Sequence, residues 1–386
     1  MAAKTILKIF KWIGLGLLTI IVLFGLLIAY WYLRPNRSMV NDEVVVDVYP
    51  VVADGYHNSN TDMVFWNDAF YLIHARAPFH FASETTVLVL LRSEDGKEWE
   101  EIATFQNPGE DIRDPKLTVI GGSLFMYCMK NRDFSAEPYT TAYTSSADGV
   151  NWEPLVDIEH EGWLFWRPKS PDGGKTWYCP AYWFEHGKSA LFKSTDGVTW
   201  EYVSPIYEGD VNDETAIVFL PDGRILATAR LEVGGYLFGD RDGNTLISTS
   251  EPPYVEWTEN HSTVTRFDGP LLFYRHGYVF GVGRLHTGPK LILNNTGSIL
   301  GKKRTSLFLF REDHMVHLTD FPSAGDTTYP GMVIKGDTAY ICYYTSPINR
   351  DYPWILGMLS PSDIMMAVID LEAAERLAET KIELAD

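Results

Sequence analysis

Cysteine is scarce, with three in 386 residues. So few cannot form the disulfide framework of a stapled extracellular scaffold, and no C-x-x-C pair or His cluster gives the spacing of a metal site. No metal or other cofactor is therefore expected. Positive charge is also short: 32 Lys and Arg face 51 Asp and Glu, for a net charge of −19. That balance excludes a nucleic-acid binder, which needs a basic stripe, and a protein that lies flat on an anionic membrane. The excess acid reads as a soluble acidic surface.

Long apolar runs are missing with one exception. Residues 13–33, IGLGLLTIIVLFGLLIAYWYL, carry no charge. Their length matches the roughly 20 residues that span a bilayer. A cleaved signal peptide has a shorter core and a small-residue cleavage site. Here the run closes on Tyr30-Trp31-Tyr32, an interfacial aromatic cluster, so it reads as an uncleaved transmembrane anchor. Lys4, Lys8 and Lys11 precede it, and Arg34 and Arg37 follow. The small bias favours the N-terminus inside, giving a single-pass type II protein with its bulk outside the cytoplasm.

The rest of the chain is repetitive. Ser-x-Asp-Gly-x-x-Trp occurs as Ser93 to Trp99, Ser146 to Trp152 and Ser194 to Trp200, and a worn copy runs from Ser248 to Trp257. Starts at 93, 146 and 194 are 53 and 48 residues apart. A strand-rich period near fifty marks propeller blades. Asp-Gly makes a tight turn, because Gly accepts positive φ and the carboxylate bonds nearby N–H groups. Ser and Trp then fix the turn onto its hairpin. Ser170 to Trp177 has the same lettering but falls at an inner hairpin, so it reads as an ordinary Asp-Gly turn.

A second repeat runs in phase: a polar residue, an apolar strand, a Gly/Asp turn and another apolar strand. It begins at Asp62, Arg113-Asp114, Arg167, Glu214, Asp268 and Tyr329. Six units predict an all-β fold, a six-bladed propeller preceded by one transmembrane helix. The expected divisions are a cytoplasmic N-terminus at 1–12, the anchor at 13–33, a linker at 34–42, one propeller at 43–370 and a helical tail at 371–386. Val-rich residues 43–52 read as a strand that closes the ring and removes an exposed edge. Cys128, Cys179 and Cys342 fall in second strands and read as buried apolar sites. The longest irregular stretch, 286–303, reads equally as a lid or as plain solvent-exposed loop.

The starts of innermost strands converge on one mouth of a propeller's channel. They bring Asp62, Arg113, Asp114, Arg167, Glu214, Asp268 and Tyr329 together, and the ends of second strands add Arg76, Arg230 and Arg284. Paired carboxylates suit glycoside hydrolysis, and arginines suit a carboxylate-bearing sugar. The bland alternative is that Arg113–Asp114 and Glu214–Arg230 are salt bridges bracing the channel.

These Asp-turn repeats resemble the sialidase superfamily of six-bladed propellers over about residues 61–366. The resemblance implies a Tyr nucleophile with a Glu as its base, three arginines for the sialate carboxylate and an Asp acid/base. Glu214, in Asn-Asp-Glu-Thr-Ala-Ile-Val-Phe, resembles the family's Glu strand, and Arg230 in Ala-Thr-Ala-Arg resembles its second arginine. Tyr329 opens the last unit, as the family's tyrosine does, and Arg304 or Arg284 stands as the third arginine. Blade one carries Asn60-Thr-Asp62 where the family has Arg-Ile-Pro; the nearest match is Ile112-Arg113-Asp114-Pro115 on blade two. No Asp follows blade one's second strand, where the loop offers His80 and Glu84.

Arg-Asp-Pro also resembles the five-bladed furanosidase-type propellers. That likeness implies Asp62 as nucleophile or base, Asp114 as stabiliser and Glu214 as acid. The expected activity is a sialidase-like glycoside hydrolase acting on a glycan, including one with an acidic sugar. Catalysis is expected of Glu214, Tyr329, Asp114 and Asp62, and substrate binding of Arg113, Arg167, Arg230, Arg284 and Arg304. The rival from another class is a non-catalytic propeller that binds a glycan or a protein.

Overall fold

A computed structural model describes residues 2–81, 83–132, 138–232, 245–287 and 299–384. Helix Ala2–Leu33 precedes six four-stranded antiparallel sheets. Blade one is His57–Trp66, Ala69–Ala77, Val87–Ser93 and Glu100–Phe105. Blade two follows with Asp111–Ile120, Ser123–Asn131, Thr140–Ser146 and Val156–Asp157, and blade three with Trp163–Phe165, Trp177–Trp183, Lys188–Ser194 and Glu201–Glu208. Blade four is Thr215–Phe219, Ile225–Arg230, Thr245–Ser250 and Asn260–Ser262; blade five is Asp268–Arg275, Tyr278–Thr287, Lys302–Phe310 and Met315–Asp320. Blade six takes Thr327–Lys335, Thr338–Thr345 and Asp363–Asp370, and its outermost strand is the N-terminal Val45–Val52. The ring is thus closed by its own beginning, and that edge strand is covered.

Local chemistry explains the hairpins. In blade one Trp66 pairs with Ala69 across Asn67-Asp68, both at positive φ (47° and 59°). A two-residue turn of this kind matches the twist of the strands it joins, and Asn and Asp tolerate it. Blades pack through large rings and aliphatics: Trp66, Tyr71, Leu117 and Met126 share one core between blades one and two. Cys128, Cys179 and Cys342 are buried free thiols.

Three Asp turns sit between the third and fourth strands of their blades. In each the carboxylate accepts two consecutive N–H bonds at 2.8–3.0 Å, as from Val198 and Thr199 to Asp196. Ser Oγ accepts the Gly N–H, and Trp Nε1 donates to the Gly carbonyl. Ser170 to Trp177 makes the same network, with Asp172 accepting from Lys175 and Thr176. It is therefore a fourth Asp turn placed on an inner hairpin, not an ordinary two-residue turn. The worn copy lacks the network: Ser250 donates to the Glu256 carbonyl and Trp257 reaches Ser204 of blade three.

Helix Leu371–Glu383 starts on Asp370, whose side chain accepts from Ala373 N at 2.9 Å. It buries Leu371, Ala373, Ala374 and Ala378 against the core shared by blades five and six. Most of the 286–303 stretch lies outside the described residues.

Candidate active site at the channel mouth

The innermost strands do not run straight through the mouth. Registers slip between Ser59 and Asp62, Arg113 and Lys116, Asp268 and Leu271, and Thr328 and Gly331. Each bulge holds a residue in the left-handed region: Asn60 (φ 52°), Asp114 (50°), Gly269 (61°) and Tyr329 (48°). A bulge turns a side chain that would otherwise alternate away from the channel. A residue before proline is ordinarily held extended, as Asp114 before Pro115 and Tyr329 before Pro330 would be. Instead Asp114 and Tyr329 are both left-handed, because the bulge needs one such residue and the inter-blade bonds hold it there.

Tyr329 and Glu214 meet across the channel: the phenol donates a short hydrogen bond to Glu214 Oε1. Arg230 Nη1 lies 3.1 Å from the same oxygen. The other oxygen, Oε2, accepts the N–H of Gly269 at 2.6 Å. Only glycine fits there, since a Cβ would come within 3.0–3.1 Å of Tyr329 backbone and ring atoms at φ +61°. Burial raises the Glu214 carboxyl to about 7, with Asp213 and Asp268 adding to the rise while Arg230 and the Tyr329 hydroxyl oppose it. Burial, then the Glu214 charge, pushes the Tyr329 phenol well above its ordinary value. Asp213 in turn holds Arg230 through a two-point pair.

Asp114 faces the same space, close enough to act on the Tyr329 phenol and on Arg113. It accepts a short bond from Asn60 Nδ2. Beneath it, the buried Lys116 ammonium sits 4.2 Å over the Trp166 ring, and burial lowers its pKa to about 8. Arg113 is partly exposed and braced by Asp111 at 2.5 Å rather than by Asp114.

Asp62 and Arg167 form a different kind of feature. Arg167 donates to both Asp62 oxygens at 2.9–3.3 Å and to the Pro330 carbonyl at 2.9 Å. Leu117 N donates to Asp62 Oδ2 at 2.8 Å. One buried pair thus ties blades one, two, three and six. Arg167 does not open its blade's inner strand, as the repeat predicts, but follows the short strand Trp163–Phe165 and so reaches deeper. Beyond this pair, at the opposite mouth, lies a cavity of about 640 Å³ lined by Asp62, Arg167, Lys169 and Trp177.

Arg284 is buried, donating to Asp268 at 3.1 Å, Asp326 at 3.3 Å, Tyr344 at 3.0 Å and the Thr327 carbonyl at 2.9 Å. Its guanidinium lies 5.6 Å from the Tyr329 ring. Arg304 is spent on Asp351 at 2.6 Å and the Lys303 carbonyl. Arg76 turns outward to Glu101 and Asp54, away from the mouth. Sequence reasoning missed Asp213, Arg266, Lys116 and Asp326: Asp213 pairs with Arg230 of the blade it precedes and Arg266 with Asp268 two residues on, while Lys116 over Trp166 and Asp326 with Arg284 meet across blades.

No family model matches the chain, and no curated protein matches it in sequence. Solved structures do match. A phage phi92 endosialidase is 9% identical with a TM-score of 0.63, covering 84% of this chain and 69% of that one. A Trypanosoma rangeli sialidase in complex with sialic acid is 13% identical with a TM-score of 0.59, covering 90% of this chain and 60% of that one. The same sialidase with 2,3-difluorosialic acid, described as a covalent intermediate, is 14% identical with a TM-score of 0.58, covering 91% of this chain and 60% of that one. The chain spans about 60% of the length of these trypanosomal sialidases. The fold of this chain is the six-bladed propeller of the sialidase type.

Proposed function

We propose that the mouth around Tyr329 is the active site of a sialidase-like glycoside hydrolase. The observation that carries this reading is the Tyr329–Glu214 hydrogen bond with Arg230 on the same oxygen. Tyr329 Oη attacks the anomeric carbon while Glu214 takes its proton. Asp114, in its acid form, protonates the leaving-group oxygen as the glycosidic bond breaks. Water then opens the aryl-glycoside bond between the sugar and Tyr329, with Asp114 as base and the proton returning from Glu214 to the phenolate. Arg113 and Arg230, the partly exposed arginines of the set, are placed to pair with a carboxylate-bearing sugar. Arg284 steadies Tyr329 from within.

The furanosidase-type trio finds less support, because both Asp62 oxygens are committed to Arg167 and backbone amides. Residues 4–33 form a helix long and apolar enough to cross a membrane. It supports an anchor, and the slight excess of Lys4, Lys8 and Lys11 over Arg34 and Arg37 favours the propeller outside the cytoplasm. Aryl α-sialosides, galactosides and arabinofuranosides, assayed side by side, test the reaction. Release of the aryl group from the sialoside, lost in Tyr329→Phe, is the expected result. Glycan binding without turnover of any of them would make the protein a lectin-like binder.

A further inference from the structure

We propose that His57, His80 and Asp326 bind one divalent transition-metal ion of the zinc class, at the seam where the first blade meets the last. His57 opens the inner strand of blade one, His80 follows its second strand, and Asp326 immediately precedes the inner strand of blade six. Their ligand atoms lie within 4.8 Å of one another. His57 Nε2 is 3.2 Å and His80 Nδ1 is 2.7 Å from Asp326 Oδ2. Yet none of these three buried atoms makes an aligned hydrogen bond.

That geometry is what a shared cation produces. Ligands about 2.0–2.2 Å from an ion, at angles of 90–110°, lie roughly 3.0–3.4 Å apart with their lone pairs aimed at the ion between them. The His57 contact already fits, and the His80 contact needs to open by a few tenths of an ångström. The surroundings fix the right chemical forms. His57 Nδ1 is 2.9 Å from the Ser360 carbonyl, which can only accept. Nδ1 therefore carries a proton and donates it to Ser360, which leaves Nε2 as the ring atom that can ligate an ion. The other Asp326 oxygen is held by Trp354 Nε1 at 2.7 Å, Tyr344 Oη at 3.0 Å and Arg284 at 3.3 Å, which leaves Oδ2 as the free ligand atom. Two imidazoles and one carboxylate suit zinc and its divalent neighbours, not calcium or magnesium.

The test does not depend on the reaction proposed above. Full-length, tag-free protein in detergent is stripped with EDTA, re-dialysed against Zn²⁺ and counted by elemental analysis; Co²⁺ is titrated in parallel and read by its visible absorption. One ion per chain and a histidine-type Co²⁺ spectrum are expected. His80→Ala should weaken binding on the order of 100-fold or more, at or beyond the top of the range for outer-shell losses. His314→Ala, at an exposed surface histidine, should leave binding unchanged. A wild-type chain that retains no ion, or a folded His80→Ala variant that binds like wild type, overturns the proposal. Should His80→Ala not fold, X-ray absorption of the zinc-loaded wild type decides: two imidazoles in the shell support the site, and fewer overturn it.

Discussion

At the residue scale, Glu214 sets catalysis and stability against each other in pH. Glu214 must be ionised to take the phenol's proton, and burial places its pKa at about 7. The rate on a sialoside is therefore expected to rise with pH, with a midpoint near 7 on the acid limb, and Glu214→Gln should abolish it. Stability runs the other way. A carboxyl whose pKa is raised on folding binds its proton more tightly in the folded chain. Its contribution is complete below the unfolded value and is lost as pH climbs through about 7. Thermal midpoints of wild type and Glu214→Gln should diverge in favour of the variant as pH rises from the ordinary carboxyl value to about 7 and run parallel above it; midpoints that stay parallel over that rise would refute the assignment. Asp62 and Asp114 should separate just as clearly. Asp114→Asn is isosteric, and the expected outcome is lost turnover with little change in melting. Asp62→Asn strips the partner from buried Arg167 and should cost about 3–5 kcal/mol in urea unfolding. If the two variants show the reverse pattern, Asp62 is the reacting group and Asp114 the brace.

At the scale of the element, the Asp turns were legible because everything they need is local: Ser, Asp, Gly and Trp within seven residues. The bulges were only half legible. Asn60 and Gly269 are residues that accept positive φ, but nothing in Arg-Asp-Pro or Tyr-Pro announces a left-handed Asp114 or Tyr329. The start of blade three was misplaced for a related reason. Its inner strand is three residues long, and the polar Arg167 that follows looked like an opening residue. The turns also carry a test. Gly197 (φ +78°) packs so closely that a Cβ would meet Ile120 Cδ1 at 2.5 Å and Tyr127 Oη at 3.0 Å, whereas Gly55 (φ +84°) has open space. Both alanine variants bear backbone strain of about 1–2 kcal/mol, but Gly197→Ala adds overpacking of about 1–3 kcal/mol. Thermal midpoints measured together should put Gly197→Ala clearly lower; equal losses would mean that the turn does not seat on the neighbouring blade.

At the scale of the whole molecule, the count of six blades was readable from the period, while the wiring of the channel was not. Asp326 meets His57 and Arg284, and Arg167 meets Asp62, only because a closed ring brings distant segments face to face. The N-terminal helix stands apart from that wiring. Its residues 4–27 are exposed on all sides, and only its end touches the propeller. There the Tyr32 and Tyr352 ring centroids are 5.8 Å apart, Arg350 lies 4.7 Å from the Tyr32 ring and Arg34 is 3.6 Å from Asp351. Asp351 is buried and also pairs with Lys302 at 2.5 Å and Arg304 at 2.6 Å, so it keeps two partners without Arg34. The contacts that matter to ring closure begin just beyond Arg34. Asn36 Nδ2 donates to the Ser323 carbonyl at 2.7 Å, Met39 N donates to Asp320 at 2.8 Å, and Val45–Val52 completes blade six. A chain starting at residue 36 keeps all three. It should purify from the soluble fraction without detergent and melt within a few degrees of the full-length protein. A chain starting at residue 53 loses the closing strand, exposes the edge of Asp363–Asp370 and should aggregate or fail to fold. If the first truncation behaves like the second, the apolar helix is part of the propeller's own core and the anchor reading fails.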